Sequence, residues 1–333
     1  MDGTTLFDAA ARDNCQEPFV LLRERLGGLG FRLESMDDDD LSGVHALWFW
    51  DVGLATQPLR TASRVRRAAT VLGGESVKPS RLMKRVLASP LRDRLVLFIG
   101  EPPVVTPGNW DKRTHKWFRT VFTWHDPLVD GERYHKYFFP LPEHYPVVAD
   151  LPFPERKLLV NVSGNKSSEE PGELYSVRVR SIRFMERAAA ADFDLYGIGW
   201  ERGDAAGRSF PAYRGVVADK WDVLPRYRFA LCYENQQMEG YVTEKLFDCL
   251  RCGVIPVYLG DPGIGSVVDP RCFIDRRRFA GDEELLACLR DMRETEFRER
   301  RQVARVFLGT AAFTRHSSAA FADTVCRVLG LGA

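Results

Sequence analysis

This 333-residue chain has no excess charge of either sign: 47 Lys and Arg face 46 Asp and Glu, for a formal net charge of +1. The basic surplus of a dedicated nucleic-acid binder is therefore missing, and no nucleic-acid partner is expected. No apolar stretch approaches the ~18 residues of a membrane span. The opening Met1-Asp2-Gly3-Thr4 is acidic and no apolar core follows it, so no signal peptide is expected. Cysteine is sparse, and its total of seven is odd, which excludes a dense disulfide scaffold and points to reduced thiols in a cytoplasmic protein. Cys249 and Cys252 form the one C-x-x-C, without the two further ligands that zinc would need. G-x-S-x-G, the P-loop and a strand-to-helix G-x-G-x-x-G are all absent.

What is present is ordinary globular composition, 45% hydrophobic and 28% charged, in a chain long enough for two domains at ~150 residues each. Helix-like and strand-like runs alternate. VHALWFW (44–50) and LVLFI (95–99) read as buried strands, and the segment 19–26 as a helix. Between them, residues 60–94 hold ten Lys or Arg against two acids, a local charge of +8. Prolines cluster at 140, 142, 146, 152 and 154, and such a cluster without periodic pattern predicts a domain boundary. We expect domains of 1–152 and 153–333. Beyond the boundary KLLVNV (157–162), DFDLYGIGW (192–200), RFALCYEN (228–235) and VIPVYLG (254–260) read as strands, with helices over 172–190 and 243–252. Strands separated by helices predict parallel, doubly wound α/β sheets.

Three residues sit where packing would not put them. At 100° per residue Arg178 falls inside the apolar stripe of helix 172–190, whereas Arg180, Arg183 and Arg187 share the opposite face. Arg178 either snorkels off the helix start or aims a guanidinium at an anion. Thr243 and Glu244 suit the start of the next helix, but Lys245 places a cation at its positive end. That is either a tolerated surface charge or a partner for a phosphate docked there. Glu101 ends the strand LVLFI on a turn stiffened by Pro102 and Pro103. It is either a solvated loop carboxylate or a general base at a strand's C-terminal end. The D-x-D of Asp192 and Asp194 lies in a strand-like run and is a weak metal signal, as are His115, His125 and His135, spaced ten apart.

The run RYRFALCYENQQMEGYVTEKLFDCLRCGVIPVYLGDPGI, at residues 226–264, resembles the signature of the α-1,3/4-fucosyltransferase family. NKSSEEPGELYSVR (165–178), DLYGIGW (194–200), YRGVVADK (213–220), CFID (272–275) and LFIGEPPVV (97–105) are similar to its bacterial members. The resemblance covers about residues 95–280 and leaves 1–90 unexplained. It implies a GT-B fold, two Rossmann-like domains facing a cleft, with the acceptor on the N-terminal domain and GDP-fucose on the C-terminal one. It implies inverting transfer of L-fucose to a glycan, by family default α1,3 to an N-acetylglucosamine-type residue. Carried over by motif, Arg178, Asn235, Tyr241, Glu244 and Lys245 would hold the donor, and Glu101 would be the catalytic base. No essential metal is implied, although Mg²⁺ or Mn²⁺ could assist. The alternatives are the same fold with another nucleotide sugar, or a glycan-binding protein without catalysis. The basic segment 60–94 is expected either to be plain solvated surface or to meet an anionic partner, the latter giving a cytoplasmic enzyme peripheral contact with the inner membrane face.

Overall fold

The computed structural model describes residues 7–8, 14–35, 41–56, 78–204 and 206–332. The chain divides into two compact units, one comprising Met1–Ser35 with Phe138–Ala333 and the other Met36–Tyr137. Each is built on an all-parallel sheet, so the α/β class expected from the alternating pattern holds.

Among the described residues the smaller unit has four strands in the order β1-β2-β3-β4: Leu47–Trp50, Leu95–Ile99, Thr120–Thr123 and Tyr134–Lys136. All of β2 is buried, as its unbroken apolar run requires. A helix α2 (Arg81–Leu87) precedes β2; Ser80 caps it by accepting a hydrogen bond from the Met83 amide, and Met83 and Val86 face inward. Arg81, Lys84 and Arg85 share its exposed face. Residues 60–77 of the basic segment, with Arg60, Arg64, Arg66 and Arg67, lie outside the described residues, as does the acidic run 37–40.

The larger unit has five strands: β5 (Lys157–Val162), β6 (Phe193–Tyr196), β7 (Tyr227–Tyr233), β8 (Ile255–Leu259) and β9 (Ile274–Asp275). Their order is β6-β5-β7-β8-β9, so the chain winds one way from β5 to β6 and the other way from β7 onward. Successive residues of β7 enter different cores: Phe229, Leu231 and Tyr233 in one, Ala230 and Cys232 in the other. Helix α3 (Tyr175–Ala188) contributes Ile182 and Met185 to the first core. Helix α4 (Glu244–Arg251) contributes Leu246, Phe247 and Leu250 to the second. The two helices thus cover opposite faces of the sheet. Helices α5 (Asp282–Asp291), α6 (Glu294–Phe307) and α7 (Ser318–Leu329) complete the unit.

The expected boundary at 152/153 does not coincide with these units. Helix α1 (Glu17–Gly28) packs with the C-terminal unit: Phe19 meets Phe321 edge-on and Arg25 pairs with Asp323 at 2.7 Å, both partners lying on α7. The proline cluster is likewise fastened there. Leu141 donates to the His316 carbonyl at 2.7 Å and accepts from the Ser318 hydroxyl at 2.9 Å. Asp150 pairs with Arg156, Arg301 and Arg305. Proline count marked irregular backbone correctly, but irregular backbone can lie against a domain as well as between two.

Candidate active site

Reversal of winding between β5 and β7 leaves a crevice outside their carboxyl ends, where ligands of open α/β sheets bind. The segments leaving those two strands lead into α3 and α4, so the crevice is entered from both faces at once. Arg178 arrives on α3 and Lys245 on α4, next to the residues that end β7.

Arg178 is buried, 3% exposed. Its Nη2 donates to the carbonyls of Tyr233 at 2.6 Å and Glu234 at 3.0 Å, and its Nε is buried without a hydrogen-bond partner. The apolar-stripe position therefore reflects real burial, not snorkelling. Burial pushes the guanidinium below its ordinary range, and Tyr175 and Glu234 oppose that push; at so high a starting value it stays cationic. Its supposed opposite, Arg183, is not simply solvated. It clamps Asp204 at 2.9 Å and the carbonyls of Arg208 and Ser209, with its guanidinium over the Phe210 ring.

Glu234 was missed among the candidate residues. Fully buried, its carboxylate accepts from the Thr243 amide at 2.9 Å, the Thr243 hydroxyl at 2.8 and 3.1 Å and Lys245 Nζ at 3.1 Å. A carboxylate directly after the buried run Phe229–Tyr233 was the available signal, since an acid is seldom buried without a partner. Thr243 does occupy the N-cap position of α4, but its side chain makes no cap hydrogen bond: the hydroxyl donates to Glu234 and accepts from Lys245 Nζ at 3.0 Å. Gly260 makes room for this cluster: a Cβ there would lie 2.5 Å from Glu234 Cγ and from the Tyr258 hydroxyl.

Lys245 is a quarter exposed and Glu244 about 38% exposed, 3.7 Å apart. Burial alone would push the Lys245 ammonium down, but the Glu234 and Glu244 carboxylates outweigh it and hold it above its ordinary value, against repulsion from Arg178. Burial would likewise raise Glu244, and Lys245 and Lys220 more than offset it. Lys220 in turn pairs with Asp248 on α4 at 2.7 Å. Asn235 is half-buried; its Nδ2 donates to the buried Tyr241 hydroxyl at 3.4 Å, and its carbonyl accepts from the Leu174 amide at 3.0 Å, just before α3. The Gln236 side chain and Gln237 amide bind the carbonyls of Pro171 and Gly172. One network therefore holds Arg178, Asn235, Tyr241, Glu244 and Lys245 at one end of the sheet. Two cations converging beside a helix N-terminus can grip a diphosphate and stabilise charge that develops on it.

Glu101 belongs to the other unit, at the carboxyl end of β2. It is half-buried, on a turn whose backbone is held from several sides. The D-x-D reading is used up structurally: Asp194 accepts from Lys157 at 2.6 Å, Arg214 at 2.7 Å and the Tyr227 hydroxyl at 2.7 Å, beside the starts of β5 and β7. His115 is also spoken for, bound to the Asn109 carbonyl at 2.6 Å and the Tyr134 hydroxyl at 3.1 Å.

Residues 176–318 match the family model described as glycosyltransferase family 10 (fucosyltransferase), C-terminal. The α-(1,3)-fucosyltransferase FucT of Helicobacter pylori is 37% identical over 70 residues, 21% of this chain and 15% of that protein. An α-(1,4)-fucosyltransferase of Arabidopsis thaliana is 41% identical over 64 residues, 19% of this chain and 16% of the relative. The aligned part thus spans about a sixth of the length of these relatives. A solved α1,3-fucosyltransferase structure superposes on 77% of this chain and 77% of its own at 16% identity, with a TM-score of 0.49.

Proposed function

We propose that this chain, whose residues 176–318 match the C-terminal model of the family 10 fucosyltransferases, is an inverting enzyme that transfers L-fucose from GDP-fucose to a glycan hydroxyl. The observation that carries the reading is the meeting of Arg178 and Lys245, from opposite faces of the sheet, around the buried Glu234 at the reversal of winding. Such a site suits the diphosphate of a nucleotide sugar. Glu244 has acceptor oxygens free in number for ribose hydroxyls, and Asn235 and Tyr241 complete the donor residues.

In the reaction the acceptor oxygen forms a bond to the fucose anomeric carbon as the bond from that carbon to the β-phosphate oxygen breaks. The acceptor proton passes to a base, which we assign to Glu101. GDP departs with the electron pair, and Arg178 and Lys245 stabilise the charge it gains. A phosphate leaving group needs no general acid, so this scheme uses one carboxylate where an inverting hydrolase uses two. It assigns no step to a metal. The acceptor that fits the family best is an N-acetylglucosamine-type residue, fucosylated α1,3.

The exposed face of α2 supports a location as well. Arg81, Lys84 and Arg85 are exposed there, and Leu54, 73% exposed, lies on the neighbouring loop joined to it by the Ser80 amide and Ala55 carbonyl. Exposed cations and an exposed leucine in one unit suit an anionic lipid surface, and we extend the reading to a cytoplasmic enzyme in peripheral contact with the membrane.

The test is an acceptor array incubated with GDP-fucose, a second GDP-sugar and UDP-sugars, following nucleoside diphosphate release and fucosylated product. The expected result is product with GDP-fucose alone. Turnover of a UDP-sugar would replace the donor assignment, and glycan capture without any nucleotide release would leave a binding protein.

A further inference from the structure

Glu101 stands on a turn that the rest of its unit over-determines. Asp51, directly after β1, donates its amide to the Phe98 carbonyl at 2.8 Å and so continues the β1–β2 ladder. It then takes φ = +62°, a conformation that few residues other than Gly adopt but that the short polar side chains of Asn and Asp tolerate. In that conformation its Oδ1 accepts from the Gly100 amide at 2.8 Å, the Glu101 amide at 3.2 Å and the Asn109 side-chain amide. The carbonyls of the same two residues are also bound by side chains. Trp124 Nε1 donates to Gly100 at 2.9 Å, and Trp110 Nε1 and Asn109 Nδ2 donate to Glu101 at 3.1 and 3.2 Å. All four backbone polar groups of Gly100 and Glu101 are thereby tied to side chains from different parts of the unit.

The support has its own support. Asn109 is fully buried, and its Oδ1 accepts from the Val52 amide at 2.9 Å. Its carbonyl accepts from His115 Nε2, which fixes that nitrogen as the protonated one and leaves Nδ1 to accept from the Tyr134 hydroxyl. Burial lowers the His115 pKa, keeping the ring neutral. Gly100 admits no side chain, since a Cβ would sit 2.4 Å from Trp50 Nε1. A loop that needed only to pass from β2 onward would leave these groups to water. Hydrogen bonds converging on one turn from several segments are what a residue that must be held in position requires.

We propose that Asp51 is a positioning residue for the Glu101 base: by binding the amides of Gly100 and Glu101 it fixes the turn from which that carboxylate takes the acceptor's proton. The inference rests on the reading of Glu101 as the base. Its force comes from geometry, because a misplacement of ~1 Å at a reacting group costs on the order of 10²-fold in rate. What matters is the acceptor oxygen at its present position, not the negative charge.

Two substitutions separate oxygen from charge. Asp51→Asn keeps Oδ1, tolerates positive φ and removes the charge; Asp51→Glu keeps the charge and moves the oxygens by one methylene. With GDP-fucose and a saturating acceptor, Asp51→Asn should keep kcat within about threefold and Asp51→Glu should lose about 10²-fold, with both KM values changed little. In a Glu101→Gln background Asp51→Glu should cost almost nothing further, since no base remains to be placed. Equal loss in the Asn and Glu variants, an active Asp51→Glu, or full additivity with Glu101→Gln would each overturn the proposal. If instead Glu101→Gln itself turns over normally, it is the assignment of the base that fails. Melting curves of the variants separate a misplaced turn from an unfolded unit, and an unfolded Asp51→Glu leaves the test to Asp51→Asn, whose kcat must stay near wild type.

Discussion

The crevice beside β7 and the turn at Glu101 solve the same problem in different ways. In the first, charge holds charge: buried Glu234 fixes Lys245 and Thr243, and Arg178 spans the carbonyls that end β7. In the second, the backbone under one carboxylate is held by Asp51, Asn109, Trp110 and Trp124. A site that must bind a charged, rigid diphosphate benefits from fixed opposite charges. A base of the kind proposed for Glu101 acts through its position, which a firmly held backbone serves. The contrast predicts that damage to the crevice shows in both stability and donor binding, while damage to the turn shows in rate.

The broadest effect, on stability, binding and rate together, should come from the crevice. Lys245→Ala strands the buried Glu234 carboxylate, which costs about 3 kcal/mol or somewhat less because Lys245 is a quarter exposed. It should also weaken GDP binding and lower kcat/KM by about 10²-fold or more. Thermal melting with and without GDP, beside steady-state kinetics, checks both halves. Arg178→Ala should behave alike; a variant that loses rate but binds GDP at full strength would break the comparison.

A smaller effect sharpens it from the opposite end of the sheet. Burial would raise the Asp194 carboxyl, but Lys157, Tyr227 and Arg214 more than offset it and hold it below its ordinary value. A folded pKa below the unfolded one contributes stability that is present above the ordinary carboxylate range, about pH 4, and fades as the pH falls through the folded value. Asp194→Asn should therefore lower the melting temperature near neutrality and flatten its acid limb, while leaving GDP affinity unchanged, as melting temperature measured against pH would record. Loss of GDP binding would mean that the D-x-D belongs to the site after all.

How much of this was legible in the sequence follows the same divide. LVLFI gave the limits of β2 because a fully buried parallel strand is a continuous apolar run, and KLLVNV those of β5, whose four central residues are buried. Arg178 and Lys245 were legible because a single helix shows where a cation does not belong. Glu234 was not singled out, although it sits inside the quoted motif, because its partners Thr243 and Lys245 become neighbours only when α4 folds back over β7. Asp51, Asn109 and Trp124 come from three separate segments, and no local spacing joins them. The domain boundary failed for a related reason: the docking of α1 on α7 joins residues almost 300 apart in the chain. Arg183 failed because the loop at 204–210 returns to cover its face.

The smallest effect concerns α2. Each Lys or Arg near an anionic leaflet contributes on the order of 1 kcal/mol. Changing Arg81, Lys84 and Arg85 together to Glu should abolish co-sedimentation with phosphatidylserine-rich vesicles at low salt and leave soluble-acceptor kinetics intact. Wild-type binding should fade at high salt, with exposed charges screened beyond ~8–10 Å at physiological ionic strength. Binding indifferent to both salt and substitution would leave α2 as solvated surface.

The division of labour between the two units is tested most directly by Glu101→Gln, with GDP affinity measured by calorimetry beside kcat for transfer from GDP-fucose. The account predicts GDP affinity within about twofold of wild type and kcat reduced by roughly 10²–10⁴-fold, the range for a lost general base. Near-normal turnover, or a loss of GDP binding in step with the loss of rate, would contradict it.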